Sequence, residues 1–449
     1  MGFGSWDLGF GIFVVALLYL APLLLDAPLT DPDEGLHAAI SQEMVERGDW
    51  IVPRFLGRAF LDKPILYFWA QAASLRAFGM NTAAARLPGC LFALLGIATT
   101  GWLARTLFNA RIGWLAAGCY ATMALPFLLA QAPVHDEALV PLTNLALGFL
   151  WRAGRDSGLG AWNSLLAAVA LGLSILTKGF AGVAIVGIGY VLYLLVTGGV
   201  TWRLVARGAF VVAIAALIAL PWYLAMNARE PGYLRYYFID RHLLGFATDT
   251  QRHSGQPWWF YLPIVVGGGL PWLLLARSRH LLLWTWLFGA VVLLSLSASK
   301  AVTYILPAMP AIAILAATAG LSMRAWRGMV AGAAIVYAMA LFAFGPVVAR
   351  AHSARELAGY FNVHPLPSTI FVFDQRVSFV YYLSPFVRSQ LHADQVRSVS
   401  VEELEAMQPF PQDAAVTLPT DLAATRLPRI LQLANGHRDV AGRYLVVYP

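Results

Sequence analysis

The chain has 449 residues, of which 59% are hydrophobic and 12% are charged, and its mean hydropathy is +0.65. Ordinary water-soluble domains do not have this composition, so we expect lipid to surround most of the chain. The formal net charge is +7, but the basic residues occupy short connections between apolar runs and form no single basic tract. The sequence therefore predicts membrane lipids as partners and no nucleic acid.

Apolar runs follow one another along most of the chain, and a membrane-spanning helix needs roughly 20 such residues. The first run lacks a basic leading segment and a small-residue cleavage site, so it is interpreted as a span and not as a cleaved signal peptide. The sequence predicts about 11 spans. They cover residues 8–26, 87–105, 112–131, 138–152, 162–177, 179–197, 207–226, 259–276, 281–297, 302–320 and 327–349.

The distribution of basic residues predicts the orientation of these spans. If the N-terminus is cytoplasmic, the short outside connections carry only Lys178 and Lys300 as basic residues. The inside connections then hold Arg105, Arg111, Arg152, Arg155, Arg203, Arg207, Arg277, Arg279, Arg324 and Arg327. An odd number of crossings places the C-terminus and the two long loops, 27–86 and 227–258, together on the extracytoplasmic side.

A change in composition after the last span marks a second domain. Charged residues, prolines and short apolar runs alternate there, as they do in water-soluble structure. Strand-like segments at Thr369–Phe373 and Tyr444–Tyr448 flank a predicted helix at Ser378–Leu383. The sequence thus predicts an all-α polytopic membrane domain over residues 1–350 and a small α/β extracytoplasmic domain over residues 351–449.

Acidic residues follow the first span at a predicted helix start. Asp33 and Glu34 come after the turn-like Thr30-Asp31-Pro32, and apolar residues at helical spacing follow them. One interpretation is that both carboxylates stabilise the first turn of this helix. The other is catalytic, because a carboxylate can activate an acceptor or stabilise positive charge in a transition state. Asp136, at another outside helix end, allows the same two interpretations.

Lys63, Lys178 and Lys300 stand at outside ends of predicted spans, although lysine usually prefers the inside. Each could be an interfacial lysine whose ammonium group reaches water. As a cluster they would instead suit a phosphate, whose charge is well met by ammonium donors in a partly desolvated pocket. Asp62 and His242 have side chains that can bind a divalent metal ion, although their spacing gives this no support.

The first long loop resembles that of a known enzyme class. The segments Asp33–Arg54 and Phe60–Trp69 are similar to the first extracytoplasmic loop of the aminoarabinose transferase ArnT and its relatives. These belong to the GT-C class of membrane glycosyltransferases, which also includes the protein O-mannosyltransferases. Further similar segments follow in the family's order: Thr177–Phe180, Tyr236–His242, Trp258–Pro263 and Ser299–Pro307.

The resemblance implies transfer of a sugar from a polyprenyl-phosphate donor, with inversion at the anomeric carbon. By position, Asp33 matches an essential acidic residue, Asp136 a second acidic site, and Lys63 a lysine that engages the donor phosphate. The predicted site residues are therefore Asp33, Asp136 and Glu34 for catalysis, Lys63, Lys178, Tyr304 and Lys300 for the donor phosphate, and Asp62 and His242 for a divalent ion such as Zn²⁺, Mg²⁺ or Mn²⁺.

Two features depart from the family's pattern. The family's Asp-Glu-Thr-Arg-Tyr is here Asp33-Glu34-Gly35-Leu36-His37, so an arginine and a tyrosine are missing beside the predicted catalytic carboxylate. The chain is also shorter than typical ArnT proteins, by about two spans. Because of these two features, the resemblance does not identify the sugar or the acceptor. It predicts a related sugar transfer and not necessarily the transfer of aminoarabinose.

The expected function is hexosyl or pentosyl transfer to a lipid-anchored glycan of the lipid A kind, on the periplasmic side of a bacterial inner membrane. No glycine-rich nucleotide loop is evident, since Gly267–Gly269 lies in an apolar span, so we expect no nucleotide cofactor. Transfer to protein hydroxyl groups is one alternative. A transporter of lipid-linked sugars is another, but it should carry charges near the mid-bilayer and show repeat symmetry.

The predicted orientation can be tested with reporter fusions. A phosphatase that is active only in the periplasm is expected to be active when fused after Pro449 and inactive when fused within residues 153–161, because the arginine bias places the second position inside. Activity of a cytoplasmic reporter after Pro449 would show that the number of crossings is even.

Overall fold

The chain folds into two compact units. The computed structural model describes residues 15, 17–25, 27–132, 135–155, 160–248, 255–373, 375–407, 413–420 and 438–448. The first unit falls within Met1–Leu24, Leu61–Ala70 and Arg86–Ala340, and the second within Leu25–Phe60, Gln71–Ala85 and Leu341–Pro449. The second unit thus combines most of the first long loop with the C-terminal region, whereas the sequence predicts one domain boundary near residue 350. Part of the first predicted span, 8–26, lies outside the described residues, as do residues 249–254 of the second loop.

Helices dominate the described chain up to residue 351. The elements to residue 235 are α1 (Asp33–Arg47), β1 (Arg54–Phe55), β2 (Arg58–Ala59), α2 (Leu66–Phe78), α3 (Thr82–Leu107), α4 (Ala110–Ala121), α5 (Ala124–Leu129), α6 (His135–Arg155), α7 (Gly160–Lys178), α8 (Ala181–Val196), α9 (Trp202–Arg229) and α10 (Tyr233–Arg235). There follow a π-helix (Tyr236–Leu244), α11 (Gly245–Ala247), α12 (Tyr261–Gly268), a 3₁₀ helix (Trp272–Leu275), α13 (Leu281–Leu296), a 3₁₀ helix (Val302–Ala308), α14 (Met309–Ala317) and α15 (Met323–Ala351).

The C-terminal region mixes short helices and strands, as the sequence predicts. Its elements are α16 (Arg355–Phe361), β3 (Thr369–Phe373), α17 (Phe379–Tyr382), α18 (Pro385–Gln390), a 3₁₀ turn (Ala393–Gln395), β4 (Val396–Val399), α19 (Val401–Ala406), β5 (Ala414–Pro419), β6 (Arg438–Ala441) and β7 (Tyr444–Val447).

Four helices among the described residues are long and apolar enough to cross a membrane, namely α3, α7, α9 and α15. Helix α9 has 28 residues, and at 1.5 Å per residue it extends about 42 Å, which exceeds the hydrocarbon thickness of a bilayer. Shorter apolar helices lie at Ala181–Val196, Leu281–Leu296 and Val302–Ala317. The protein is therefore an integral, polytopic helical membrane protein, as predicted.

Three of the predicted spans are interrupted. Residues 112–131 divide into α4 and α5 around Thr122, and residues 259–276 divide into α12 and a 3₁₀ helix around Gly269–Pro271. Residues 302–320 begin as a 3₁₀ helix and become α-helical at Met309. Proline accounts for the last two interruptions, because it donates no backbone hydrogen bond and its ring clashes with the preceding turn. Apolarity alone does not reveal such breaks.

Packing in the first unit centres on α6 and α7. Helix α6 packs along α7, which also packs along α9. Buried polar contacts join the helices: Asn144 Nδ2 donates to Thr100 Oγ1 at 3.0 Å, and Tyr223 OH donates to the Ile175 carbonyl at 3.1 Å. Such bonds hold helices together in lipid, where water cannot satisfy polar groups. The second bond joins α9 to the last turn of α7, close to the end where Lys178 lies.

The second unit contains a five-stranded sheet with strand order β4-β3-β5-β7-β6. Strand β3 is parallel to β4 and β5, whereas β7 is antiparallel to β5 and β6. Ile370 and Val372 of β3 share a core with Phe379, Leu29 and Ala38, so α1 is part of this unit. The predicted strands at Thr369–Phe373 and at the C-terminus are confirmed, and so is the helix between them.

Candidate active site

An ion pair joins the start of α6 to the end of α7. Asp136 lies in the first turn of α6, and its carboxylate pairs with the Lys178 ammonium group. The two side chains are 6% and 12% exposed, so little water screens their attraction. Burying one of these charges without the other would cost several kcal/mol, roughly 3–5 in comparable pairs. The pair therefore fixes the distance between the two helix ends.

Two further residues predicted for the donor phosphate lie beside this pair. Lys178 Nζ stands 3.9 Å from the ring centroid of Tyr304, a cation–π contact. The positive charge of Lys63 acts on Lys178 and on His242, so the three groups lie within electrostatic range of one another. Within the described chain, Lys63 Nζ has neither an ion-pair nor a hydrogen-bond partner, whereas Lys178 is paired. The cluster thus combines a neutralised ammonium with a second, available one.

Gly179 allows the second long loop to approach the end of α7. Its φ of +61° lies in the left-handed region, which L-amino acids with a side chain disfavour. A Cβ at this position would overlap His242 Nε2 and lie 3.0 Å from the Tyr237 hydroxyl oxygen. Glycine is therefore required at position 179 for two reasons. Only glycine adopts this backbone conformation easily, and a side chain would occupy the space of His242.

Asp62 is bound to the same π-helix as His242, although by different residues. The Tyr236 hydroxyl donates to Asp62 Oδ1 at 2.5 Å, and Arg241 Nη1 lies 3.7 Å from the same oxygen. His242 Nδ1 lies 2.8 Å from the Tyr237 carbonyl oxygen. These contacts join the π-helix to Asp62 within the first unit.

The chemistry of Asp62 and His242 is compatible with a metal site of few protein ligands. Burial lowers the pKa of His242, and the charges of Arg241 and Lys63 lower it further, against the opposing effect of nearby backbone carbonyls. A neutral imidazole, which binds metal ions, is therefore favoured at neutral pH. Among the described residues no group of three or more histidine, cysteine, aspartate or glutamate side chains could hold a metal ion. The divalent ion stays a prediction.

Lys300 is buried at 6% exposure and contacts the second loop. Its Nζ donates to the backbone carbonyl of Gln256 at 3.2 Å. The Tyr261 hydroxyl donates to the neighbouring Ala301 carbonyl at 3.2 Å. Lys300 therefore anchors the segment that leads to Tyr304, and its predicted contact with a donor phosphate stays a prediction.

Asp33 and Glu34 occupy the first turn of α1, in the second unit. Glu34 is buried, and its carboxylate accepts hydrogen bonds from the Thr30 backbone N–H at 2.7 Å and from Thr30 Oγ1 at 3.0 Å. Both bonds come from Thr30, which precedes α1, and Pro32 at the N-cap position has no side-chain cap bond, so these contacts tie the turn before the helix to its first residues. Asp33 is exposed to solvent in the same turn. The two carboxylates thus differ: one closes the turn, and the other faces water.

The sequence analysis did not predict a structural role for Asp31, because its hydrogen-bond partners lie more than 300 positions away. The sequence places it in a turn before α1. In the structure its Oδ1 accepts a hydrogen bond from the Ser378 backbone N–H at 2.6 Å, and its Oδ2 accepts one from Ser378 Oγ at 2.7 Å. No local sequence pattern predicts such a contact.

Comparisons with known proteins identify the family and the fold of this chain. A family model described as dolichyl-phosphate-mannose-protein mannosyltransferase matches residues 62–225. Undecaprenyl phosphate-alpha-4-amino-4-deoxy-L-arabinose arabinosyl transferase 1 of Pseudomonas fluorescens is 32% identical over 330 residues, covering 69% of this chain and 57% of the relative. The corresponding transferase of Aeromonas hydrophila is 31% identical over 355 residues, covering 73% and 64%. The chain thus spans less than two thirds of the length of these relatives.

A solved structure shares the fold over nearly the whole chain. ArnT from Cupriavidus metallidurans, bound to undecaprenyl phosphate, superposes with a TM-score of 0.76 at 22% identity. The match covers 99% of this chain and 98% of that one. At this level of identity the likeness establishes the helical membrane architecture with its small C-terminal domain.

The role of Gly179 can be tested by the substitution Gly179→Ala. We expect it to destabilise the purified protein by roughly 1–3 kcal/mol, because alanine must adopt a left-handed conformation and displace His242. Gly187→Ala is the matched control, since Gly187 lies in a helix of the same unit with no heavy atom within 4 Å of an added Cβ. Equal thermal unfolding midpoints in detergent for the two variants would contradict the proposed close approach.

Proposed function

Because the chain is an ArnT-like member of the GT-C membrane glycosyltransferases, we propose that it transfers a monosaccharide from a polyprenyl-phosphate donor to a lipid-anchored glycan. The observation that carries this proposal is the cluster of Lys63, Lys178, Asp136 and Tyr304. In this cluster the ammonium group of Lys63 is available to bind an anion. The ammonium group of Lys178 is held beside it by one carboxylate, that of Asp136.

A phosphate monoester or diester is the anion that suits this cluster. Lysine meets phosphate as a compact charge with three donors, and its interaction strengthens where water is scarce. Lys178 is held by Asp136 and by the Tyr304 ring. Lys63 is free among the described residues to move toward a ligand. The solved relative bound to undecaprenyl phosphate supports a polyprenyl phosphate as the ligand class.

The proposed reaction breaks the bond between the anomeric carbon and the phosphate oxygen, and both bonding electrons leave with the phosphate. Lys63 and Lys178 stabilise the negative charge that develops there. An acceptor oxygen forms the new bond from the opposite face, which inverts the configuration. Correct alignment of that oxygen supplies much of the rate enhancement.

Asp33 is the proposed acceptor-side carboxylate. If the acceptor is a sugar hydroxyl, Asp33 takes its proton as the bond forms. If the acceptor is a phosphate oxygen, as on lipid A, the oxygen is already anionic and needs only to be positioned. The exposure of Asp33 in the first turn of α1 is compatible with either role, whereas the contacts of Glu34 favour a structural one.

The donor sugar and the acceptor are inferred from relatives. The named relatives are undecaprenyl phosphate-aminoarabinose arabinosyl transferases, so a pentose donor and a lipid A-like acceptor are the first candidates. We place the reaction on the periplasmic side of a bacterial inner membrane, following the arginine distribution. A protein hydroxyl acceptor is the second candidate, because the matching family model is described as a protein mannosyltransferase.

Substitutions in the two proposed catalytic groups test the function. With synthetic undecaprenyl-phosphate sugars and lipid A, Lys63→Ala and Asp33→Asn are each expected to lower transfer by about 100-fold or more, because Lys63 would meet the charge of the leaving phosphate and Asp33 would align or deprotonate the acceptor oxygen. Arg76→Ala, which removes an exposed positive charge from the last turn of α2, is the control and is expected to stay within about 2-fold of wild type.

The same lysine can be tested for ligand binding directly. The chain has three lysines, so mass spectrometry can follow amine acylation at each. Undecaprenyl phosphate is expected to protect Lys63, while the backbone-bonded Lys300 changes less. Transfer from a nucleotide sugar, sugar found on protein alone, or unaltered acylation of Lys63 would each count against the proposal.

The predicted metal ion is tested by elemental analysis. Wild type, purified without chelators, is expected to retain close to one equivalent of a divalent metal, and His242→Ala is expected to lose it, because the imidazole would be one of few protein ligands. His364→Ala, in the second unit, serves as a control for the loss of a histidine. Equal metal content in wild type and His242→Ala would rule out this site.

A further inference from the structure

The second unit contains a cluster of contacts that the proposed reaction does not use. Asp31 lies two residues before Asp33, and its carboxylate accepts three hydrogen bonds from the C-terminal region. Two come from Ser378, and the third comes from the Ala354 backbone N–H at 3.1 Å. The Asp31 backbone N–H donates to the His352 carbonyl at 2.6 Å. One residue thus joins the start of α1 to the starts of α16 and α17.

These bonds are made in a buried environment. Burial raises the pKa of Asp31 to about 6, although the hydrogen bonds from Ser378 and the charge of Arg376 lower it. Burial of such a carboxylate has an unfavourable free energy, and the hydrogen bonds that it accepts are stronger than they would be in water. Pro32 follows directly and has a restricted φ, so the position of Asp31 constrains where α1 begins.

Gly35 brings α1 into direct contact with the same segment. A Cβ at Gly35 would overlap the Cβ of Ser378 and lie 2.7 Å from its Cα. The backbone of α1 at Gly35 therefore touches Ser378, the residue directly before α17, and no side chain of α1 stands between them. Leu36 packs against the apolar core of the second unit, and the Leu29 backbone N–H donates to the Tyr382 hydroxyl at 2.7 Å.

We propose that the C-terminal region positions the catalytic carboxylate: Asp31 and Gly35 fasten the first turn of α1 to Ser378 and thereby fix where Asp33 stands. This inference rests on the proposed function of Asp33. Asp31, Gly35 and Ser378 are positioning residues, because they act through the backbone of α1. The C-terminal region is then a support for the reaction and not a separate binding module.

The test compares Gly35→Ala and Asp31→Asn with wild type in the purified full-length protein. Each is expected to lower kcat by about 10-fold or more while the KM for the donor changes by less than about 2-fold, because a misplaced Asp33 affects alignment and not donor binding. Gly359→Ala is the matched control, since Gly359 lies in α16 of the same unit and an added Cβ meets no heavy atom within 4 Å. It is expected to behave as wild type.

Non-additivity separates positioning from general damage. In an Asp33→Asn background, Gly35→Ala is expected to cost less than about 2-fold further, because the group it positions is already absent. The same loss in both backgrounds, or a wild-type kcat for Gly35→Ala, would overturn the inference. If Asp33→Asn alone keeps wild-type turnover, the proposed role of Asp33 fails instead.

Hydrogen exchange gives an independent measurement where the turnover of Asp33→Asn is too slow to compare. The backbone amides of residues 33–36 are expected to exchange at least about 5-fold faster in Gly35→Ala and Asp31→Asn than in wild type, since the fastening contacts are lost. Gly359→Ala is expected to leave these amides unchanged. Unaltered exchange at residues 33–36 in both test variants would also overturn the inference.

Discussion

The ion pair between Lys178 and Asp136 is the interaction on which the first unit's site depends. Both charges are nearly removed from water, and two such charges are tolerable only when each satisfies the other. The end of α7 and the beginning of α6 must therefore lie side by side, and the other helices must pack around this contact. Tyr304 can reach the Lys178 ammonium group because that group is held in place. The approach of the second loop at Gly179 follows from the same fixed helix end.

The choice of lysine at this site is informative because the chain otherwise uses arginine. Three of its 31 basic side chains are lysine and the other 28 are arginine. Arginine offers a planar fork of donors that remains fully charged, whereas lysine offers a compact ammonium group on a flexible stem. Lys178 points this group at an aromatic ring and a carboxylate at once. Lys63 has no hydrogen-bond or ion-pair partner among the described residues, so its flexible stem is not held in one position.

Sequence patterns predicted the elements whose signals are local. Helix α1 forms at Asp33–Arg47, where acidic residues precede apolar residues at helical spacing, and the strand at Thr369–Phe373 forms where β-branched and aromatic residues cluster. The interruptions at Thr122 and Pro271 were not predicted, because apolarity measures compatibility with lipid and not helix continuity.

Sequence analysis predicted those residues of the candidate site that match motifs of the family. Lys63, Lys178, Asp136 and Tyr304 were predicted separately, and the structure brings them together. Asp31 was not predicted, since the partners of its carboxylate are 323 and 347 positions away. A residue whose role depends on such distant contacts leaves no periodicity, spacing or motif in a single sequence.

The unusual residues after Asp33 now have a physical explanation. From sequence alone, Gly35, Leu36 and His37 suggest a change of substrate, because the family's pattern has threonine, arginine and tyrosine there. In the structure, a threonine at position 35 would overlap Ser378, and an arginine at position 36 would bring its charge against an apolar core.

His37 is buried, with its ring 6.3 Å from that of Phe60. The residues at positions 35 and 36 are therefore accounted for by packing within the second unit, whereas nothing in the structure explains histidine in place of tyrosine at position 37. A departure from a family's motif beside a proposed catalytic residue need not indicate a different substrate when the same positions make packing contacts within a unit.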